Sequence, residues 1–162
     1  MTEMTEITTP TVQLMSKEVR IAFPTGSTFS VRLGDLWELM RVLYIAATPK
    51  AHETRHRDYT IHRGRTVVRP AKAGEPPKVT DRRDLVVGRR ADRVTLTQGD
   101  ITETLSRAEA LALDTLLSAA LRQREDRKAG RTRAKAKRES ERHAEAHLIV
   151  TAMLGRQGAT LH

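Results

Sequence analysis

Residues 18–33 read Glu18-Val-Arg-Ile-Ala-Phe23, Pro24-Thr-Gly-Ser27, Thr28-Phe-Ser-Val-Arg-Leu33. Apolar and polar residues alternate in the first and third segments, the period of a strand with one buried face. Pro24-Thr-Gly-Ser27 between them is turn chemistry. Gly34-Asp35 then opens a helix, with Asp35 as N-cap and Glu38 three residues on, the capping-box spacing. Leu36, Leu39, Met40, Leu43 and Ala47 fall on one apolar stripe with Trp37 at its edge, and Thr48-Pro49 ends the helix. Trp37 and Tyr44, seven apart on one side, are expected in the core or at its margin. They become a partner contact if the sheet leaves them uncovered.

A second hairpin–helix follows the same grammar. Arg93-Val-Thr-Leu-Thr97 and Ile101-Thr-Glu-Thr-Leu105 flank the turn Gln98-Gly-Asp100. Ser106 and Glu109 repeat the capping box, and Leu113, Leu116, Leu117, Ala120 and Leu121 give the helical i, i+3, i+4, i+7, i+8 pattern. Between the units, Asp58-Tyr-Thr-Ile-His62 and Thr66-Val-Val-Arg69 pair across Arg63-Gly64-Arg65. Pro70 to Lys78, with three prolines, reads as an exposed loop. Leu85-Val-Val87 reads as an edge strand. The expected fold is α+β: two hairpin–helix (ββα) units on a mostly antiparallel sheet, followed by a long basic C-terminal helix. Its expected divisions are a flexible N-terminus at 1–10, a core at 11–121 with an exposed basic loop region around 50–93, and a basic helix at 122–162. Gly155 and Gly158 are expected to stop that helix.

Charge is sorted along this plan. Residues 50–93 carry 13 Lys/Arg against 6 Asp/Glu, and residues 122–162 carry 11 against 5. Residues 1–49 hold 4 against 5, and 94–121 hold 1 against 4, so the net +9 resides in two blocks. Such blocks suit a polyanion, most often nucleic acid. Arg122, Arg124, Arg127, Lys128, Arg131, Arg133, Lys135, Lys137, Arg138 and Arg142 are the cations of the C-terminal segment, expected to surround its axis. Glu125–Lys128 and Glu139–Arg142 are its expected ion pairs. No aromatic residue interrupts the charge, so the segment has no stacking platform for single-stranded bases, and duplex backbone fits it better. Arg63-Gly64-Arg65, flanked by Arg55, Arg57 and Arg69, makes a hairpin with a basic tip. Its three-residue core resembles an AT-hook, which has Pro directly after; here Thr66 follows, and Pro70 comes later. Leu148, Ile149, Ala152 and Met153 form an apolar end on the polar helix, expected to dock on this protein's own core, a second copy or a protein partner.

Other chemistries find little support. The chain has no cysteine, which excludes disulfides, thiolate nucleophiles and Cys-based zinc. His52/His56 and His143/His147 have the i, i+4 spacing of a helical metal pair, yet no third ligand accompanies them, so no cofactor or metal is expected. No nucleophile elbow, phosphate-cradling glycine loop or dinucleotide fingerprint is present, and no acid in an apolar strand has a nearby Lys. Catalytic residues are therefore expected to be none. The polar, acidic start predicts no signal peptide, no run approaches a membrane span, and a cytoplasmic site (or a virion) is expected. With apolar residues at 38 % and aromatics at 3 %, roughly 40 to 60 residues are expected outside the packed part. The sequence predicts a non-enzymatic nucleic-acid-binding accessory protein, DNA-directed, suited to a phage or mobile element. The competing expectation is an inhibitor, adaptor or virion component whose basic helix docks on an acidic partner.

Overall fold

A computed structural model describes residues 9–48 and 55–159, with side chains to residue 156. The element order is β1 (Thr11–Leu14), β2 (Glu18–Ala22), β3 (Thr28–Arg32), a single 3-10 turn (Leu33–Asp35), α1 (Leu36–Ala47), β4 (Arg57–His62), β5 (Arg65–Pro70), β6 (Leu85–Arg90), β7 (Arg93–Gln98), β8 (Ile101–Ser106) and α2 (Arg107–Ala159). The fold is α+β, and every strand pairing is antiparallel. The strands form two sheets, ordered β1-β2-β3 and β5-β4-β6-β7-β8. The chain divides into two units, residues 1–122 and 123–162.

In the first unit the alternation of β2 and β3 buries Val19, Ile21, Phe29 and Val31. Phe23 and Phe29 meet edge to face, ring centroids 5.2 Å apart, the arrangement their quadrupoles favour. Leu36, Leu39, Leu43 and Ala46 of α1, with Leu113 and Leu117 of α2, join Tyr59, Val87, Val94 and Leu96 of the larger sheet in the same core. The sheets meet at β3, whose outer edge is satisfied by a side chain. Gln98 Nε2 donates to the Ser30 carbonyl at 2.9 Å, and its Oε1 accepts from the Ser30 amide at 3.0 Å. Thr25 Oγ1 adds a bond to Glu103 at 2.5 Å. Pro10 is buried, so the body begins inside the stretch expected to be flexible; residues 1–8 of that stretch lie outside the described residues.

The helix starts differ from one another. Ser106 and Glu109 form the expected box: the Glu109 amide donates to Ser106 Oγ at 3.1 Å, and the Ser106 amide to Glu109 Oε2 at 3.0 Å. Ser106→Ala is expected to cost about 1 kcal/mol, the usual worth of an N-cap hydroxyl, read as a shift in the urea midpoint at unchanged slope. Asp35, by contrast, makes no capping bond. The preceding 3-10 turn places its backbone in the helical region (φ −97°, ψ −5°), whereas a capping residue is extended. Glu38 bonds Arg41 Nη2 at 2.9 Å and accepts from the Thr66 hydroxyl, tying α1 to β5. The Arg41 bond foremost, and the Thr66 bond after it, hold the Glu38 carboxyl below its ordinary range.

Residues 57–90 hold three strands, β4 and β5 as the expected hairpin and β6 where an edge strand was expected. β6 is the central strand of its sheet, not an edge. Leu85 and Val87 face the main core, while Val86 and Gly88 face the opposite side, beside Thr60, Thr95 and Thr97, which are also buried. The loop between β5 and β6 lies against this second face. Its Asp84 carboxylate gathers the Thr80 hydroxyl (2.6 Å), the Asp81 amide (3.1 Å) and His62 Nδ1 (2.9 Å). Arg90 donates to the Glu75 carbonyl at 3.3 Å and pairs with Asp58 at 2.8 Å. A loop rich in proline thus carries enough anchors to bury the sheet behind it.

In the second unit α2 continues past Gly155 and Gly158 to Ala159. An exposed helical glycine costs only about 1 kcal/mol relative to Ala, too little to end a helix of this length. Every residue from 123 to 156 is exposed.

Candidate nucleic-acid interface

The hairpin of β4 and β5 turns on two residues, Arg63 (φ 44°) and Gly64 (φ 81°). Left-handed φ at both positions is the I′ geometry whose twist matches the flanking strands. Arg63 holds this conformation at a cost of roughly 1 kcal/mol, since L side chains crowd there. The turn makes Arg63 the tip of the hairpin. Arg65 and Arg69 are exposed on β5, an edge strand, and share one face by alternation. Arg69 stands opposite Asp58 in register, but that carboxylate is taken by Arg90. Arg63, Arg65 and Arg69 form no close ion pair among the described residues, although Arg63 lies near enough to Asp81 to feel its charge. Arg55 is exposed just before β4, whereas Arg57 is half-buried and its carbonyl accepts from Arg90 at 3.4 Å.

Beside the hairpin tip lies a cleft of about 340 Å³, whose lining sets Arg32, Arg63, Arg82 and Arg83 among Glu18, Asp35, Asp81 and Asp84. Arg83 is engaged by Asp81 at 3.5 Å, and its amide donates to the same carboxylate at 3.0 Å. That backbone bond, chiefly, holds the Asp81 carboxyl below its ordinary range, and Arg63 adds to the effect. Arg32 and Arg82 were not legible as site residues. Arg32 looked like the outward member of an alternating strand, and Arg82 belongs to a turn with two aspartates. Only the fold brings them to Arg63.

In the helix, six of the ten cations expected to surround the axis share one side. Because α2 is unbroken from Arg107 to Ala159, residues advance by about 100° each. Arg124, Lys128, Arg131, Lys135, Arg138 and Arg142 follow one another at spacings of four and three, which keeps all six on one face over about 27 Å. Arg127 flanks that stripe, while Arg122, Arg133 and Lys137 point elsewhere. Glu125, Asp126 and Glu141 also lie off the stripe. The observed ion pairs are Lys135–Glu139 and Lys137–Glu141, each 4.0 Å, in place of the expected Glu125–Lys128 and Glu139–Arg142. Exposed pairs at that distance are weak, so the stripe keeps its charge. Beyond it, Leu148, Ile149 and Met153 are 69 %, 55 % and 60 % exposed, and Ala152 is exposed with them.

Trp37 and Tyr44 correct the core expectation, being 69 % and 57 % exposed on α1. Leucines, Met40, Val42 and alanines already fill the buried arc of that helix. Trp37, Arg41 and Tyr44 occupy the opposite arc. Among the described residues no three His, Asp or Glu side chains gather for a metal ion; His143 and His147 are exposed, and His52 lies outside the described residues. No described helix is long and apolar enough to cross a membrane. No family model, curated protein or solved structure matches the chain.

Proposed function

We propose that this protein is a non-enzymatic accessory protein that binds duplex nucleic acid, DNA in the first place, by its phosphates. The observation that carries the reading is the stripe of six cations along one face of α2, fully exposed and almost free of carboxylates. The exposed hairpin arginines Arg63, Arg65 and Arg69 supply a second, smaller group of cations. Neither surface carries an apolar or hydrogen-bonding pattern that reads base edges, so the binding is to backbone and tolerant of sequence. Such a protein works where its polyanion is, in the cytoplasm or, for a phage protein, in the virion.

Salt separates this reading from its rival. Six neutralised phosphates give a slope of about −5 in log affinity against log salt, a loss of about a thousandfold between 50 and 200 mM. Fluorescence anisotropy of a labelled duplex with the full chain measures it. No binding at 50 mM salt, or a slope near zero, removes the proposal. The rival, a module that docks on an acidic protein, draws support from the exposed apolar end at Leu148, Ile149 and Met153.

A further inference from the structure

The last turns of α2 expose more apolar surface than a free helix end tolerates. Leu148, Ile149, Val150, Met153 and Leu154 are each more than half exposed, and residues 146–155 contain no Asp, Glu, Lys or Arg. At about 100° per residue these side chains and Ala152 sweep roughly 240° of the circumference, leaving Thr151 on the polar remainder. An ordinary surface helix has an apolar stripe only somewhat over about 100° wide. This end is patterned to be surrounded. The arc is also in phase with the cations: Ala146, Ile149 and Met153 continue the four-and-three spacing beyond Arg142.

We infer that the end of α2 self-associates, with the helix end of a second copy laid against it antiparallel. The neutrality of residues 146–155 suits a neutral partner surface, and the same segment of another chain is one. Charge then sets the direction. Residues 122–142 hold ten cations against four acids. Because stripe and apolar arc share a face, a parallel pair would lay six cations against six. An antiparallel overlap centred near Thr151 confines contact to the neutral end and sends the two basic stripes to opposite ends of the pair. One self-complementary patch is all that such a twofold interface requires. One neighbouring helix covers part of the arc in a pair, and two such pairs laid together cover the rest in an assembly of four.

The inference concerns the helix end alone and does not rest on nucleic-acid binding. Sedimentation equilibrium of the full chain at about 10–100 μM, the range in which small interfaces assemble, should give twice or four times the 18.2 kDa chain mass. The combined variant Leu148→Gln, Ile149→Gln and Met153→Gln should stay helical by circular dichroism. Its association midpoint should rise about a thousandfold, since each buried aliphatic side chain is worth roughly tenfold or more. Direction is read from Ala146→Cys in a chain with no other cysteine. An antiparallel overlap holds the two introduced thiols about 15 Å apart along the axis, beyond disulfide reach. A single-chain mass for the natural sequence throughout that range, an unchanged mass for the triple variant, or ready cross-linking at position 146 would each overturn the inference. Duplex affinity of the same samples tests the nucleic-acid reading separately, because the triple variant keeps all six cations of the stripe.

Discussion

Gly88→Ala is expected to destabilise the protein by about 3 kcal/mol, the upper part of the range for overpacking a core. Gly88 sits in the central strand β6, between Asp58 of β4 and Thr95 of β7 in register. A methyl group there would stand 2.2 Å from Thr95 Oγ1, 3.1 Å from Asp58 Oδ1 and 3.2 Å from Arg90 Nη1. The first contact is impossible without movement, and the other two belong to the 2.8 Å ion pair on the second face of the sheet. Thr95 is buried and β-branched, so its hydroxyl can leave only by a change of rotamer inside a strand. In an ordinary strand Ala is the better residue by about 0.5–1 kcal/mol, so the sign of the effect is itself informative. In a Thr95→Ala background the closest contact disappears, and the cost of Gly88→Ala should fall to about 1 kcal/mol. Urea unfolding of the four proteins of this cycle measures both terms. A neutral or stabilising Gly88→Ala would mean that β6 is not held between these neighbours.

Replacing Arg124, Lys128, Arg131, Lys135, Arg138 and Arg142 by Gln is expected to abolish the steep salt dependence of duplex binding. About five units of slope and about a thousandfold of affinity at 50 mM salt should go with the six phosphate contacts. Gln keeps nearly the helix propensity of Arg and Lys, so α2 should remain helical while the net charge falls from +9 to +3. The matching control replaces Arg122, Arg133 and Lys137, which lie off the stripe. Simple attraction to a basic chain would make that control lose about half as much, in proportion to charge removed. A stripe laid along a backbone would leave it nearly unchanged. Equal loss per charge in the two variants would therefore discard the stripe while keeping a diffuse electrostatic attraction.

Sequence patterning announced some elements and concealed others for identifiable reasons. β2, β3, β7 and β8 each bury one face or lie beside a tight turn, so alternation and turn residues marked them. β6 does not alternate, because Leu85, Val86 and Val87 are all buried. A short apolar run gives no sign of what covers its second side. That cover is the loop from Ala71 to Asp84, whose prolines suggested exposure and whose anchors, Asp84 and the Glu75 carbonyl, carry no local pattern. Trp37 was read as core or core margin from its place at the edge of the apolar stripe, although the inward arc of α1 was already full. The ten cations of the helix were legible as a count. Their phase was passed over, although the spacing of four and three puts six of them on one face of a helix that runs unbroken through Gly130. The cleft at Arg32, Arg63 and Arg82 joins three separate segments, and no spacing in the chain foretells it.

The amide of Gln98 stands where a neighbouring strand would be, holding both polar groups of Ser30. A strand at the rim of a sheet is a template on which foreign chains can polymerise. A single side chain thus acts as a stopper at that rim, leaving Ser30 no free backbone group on which another strand could pair.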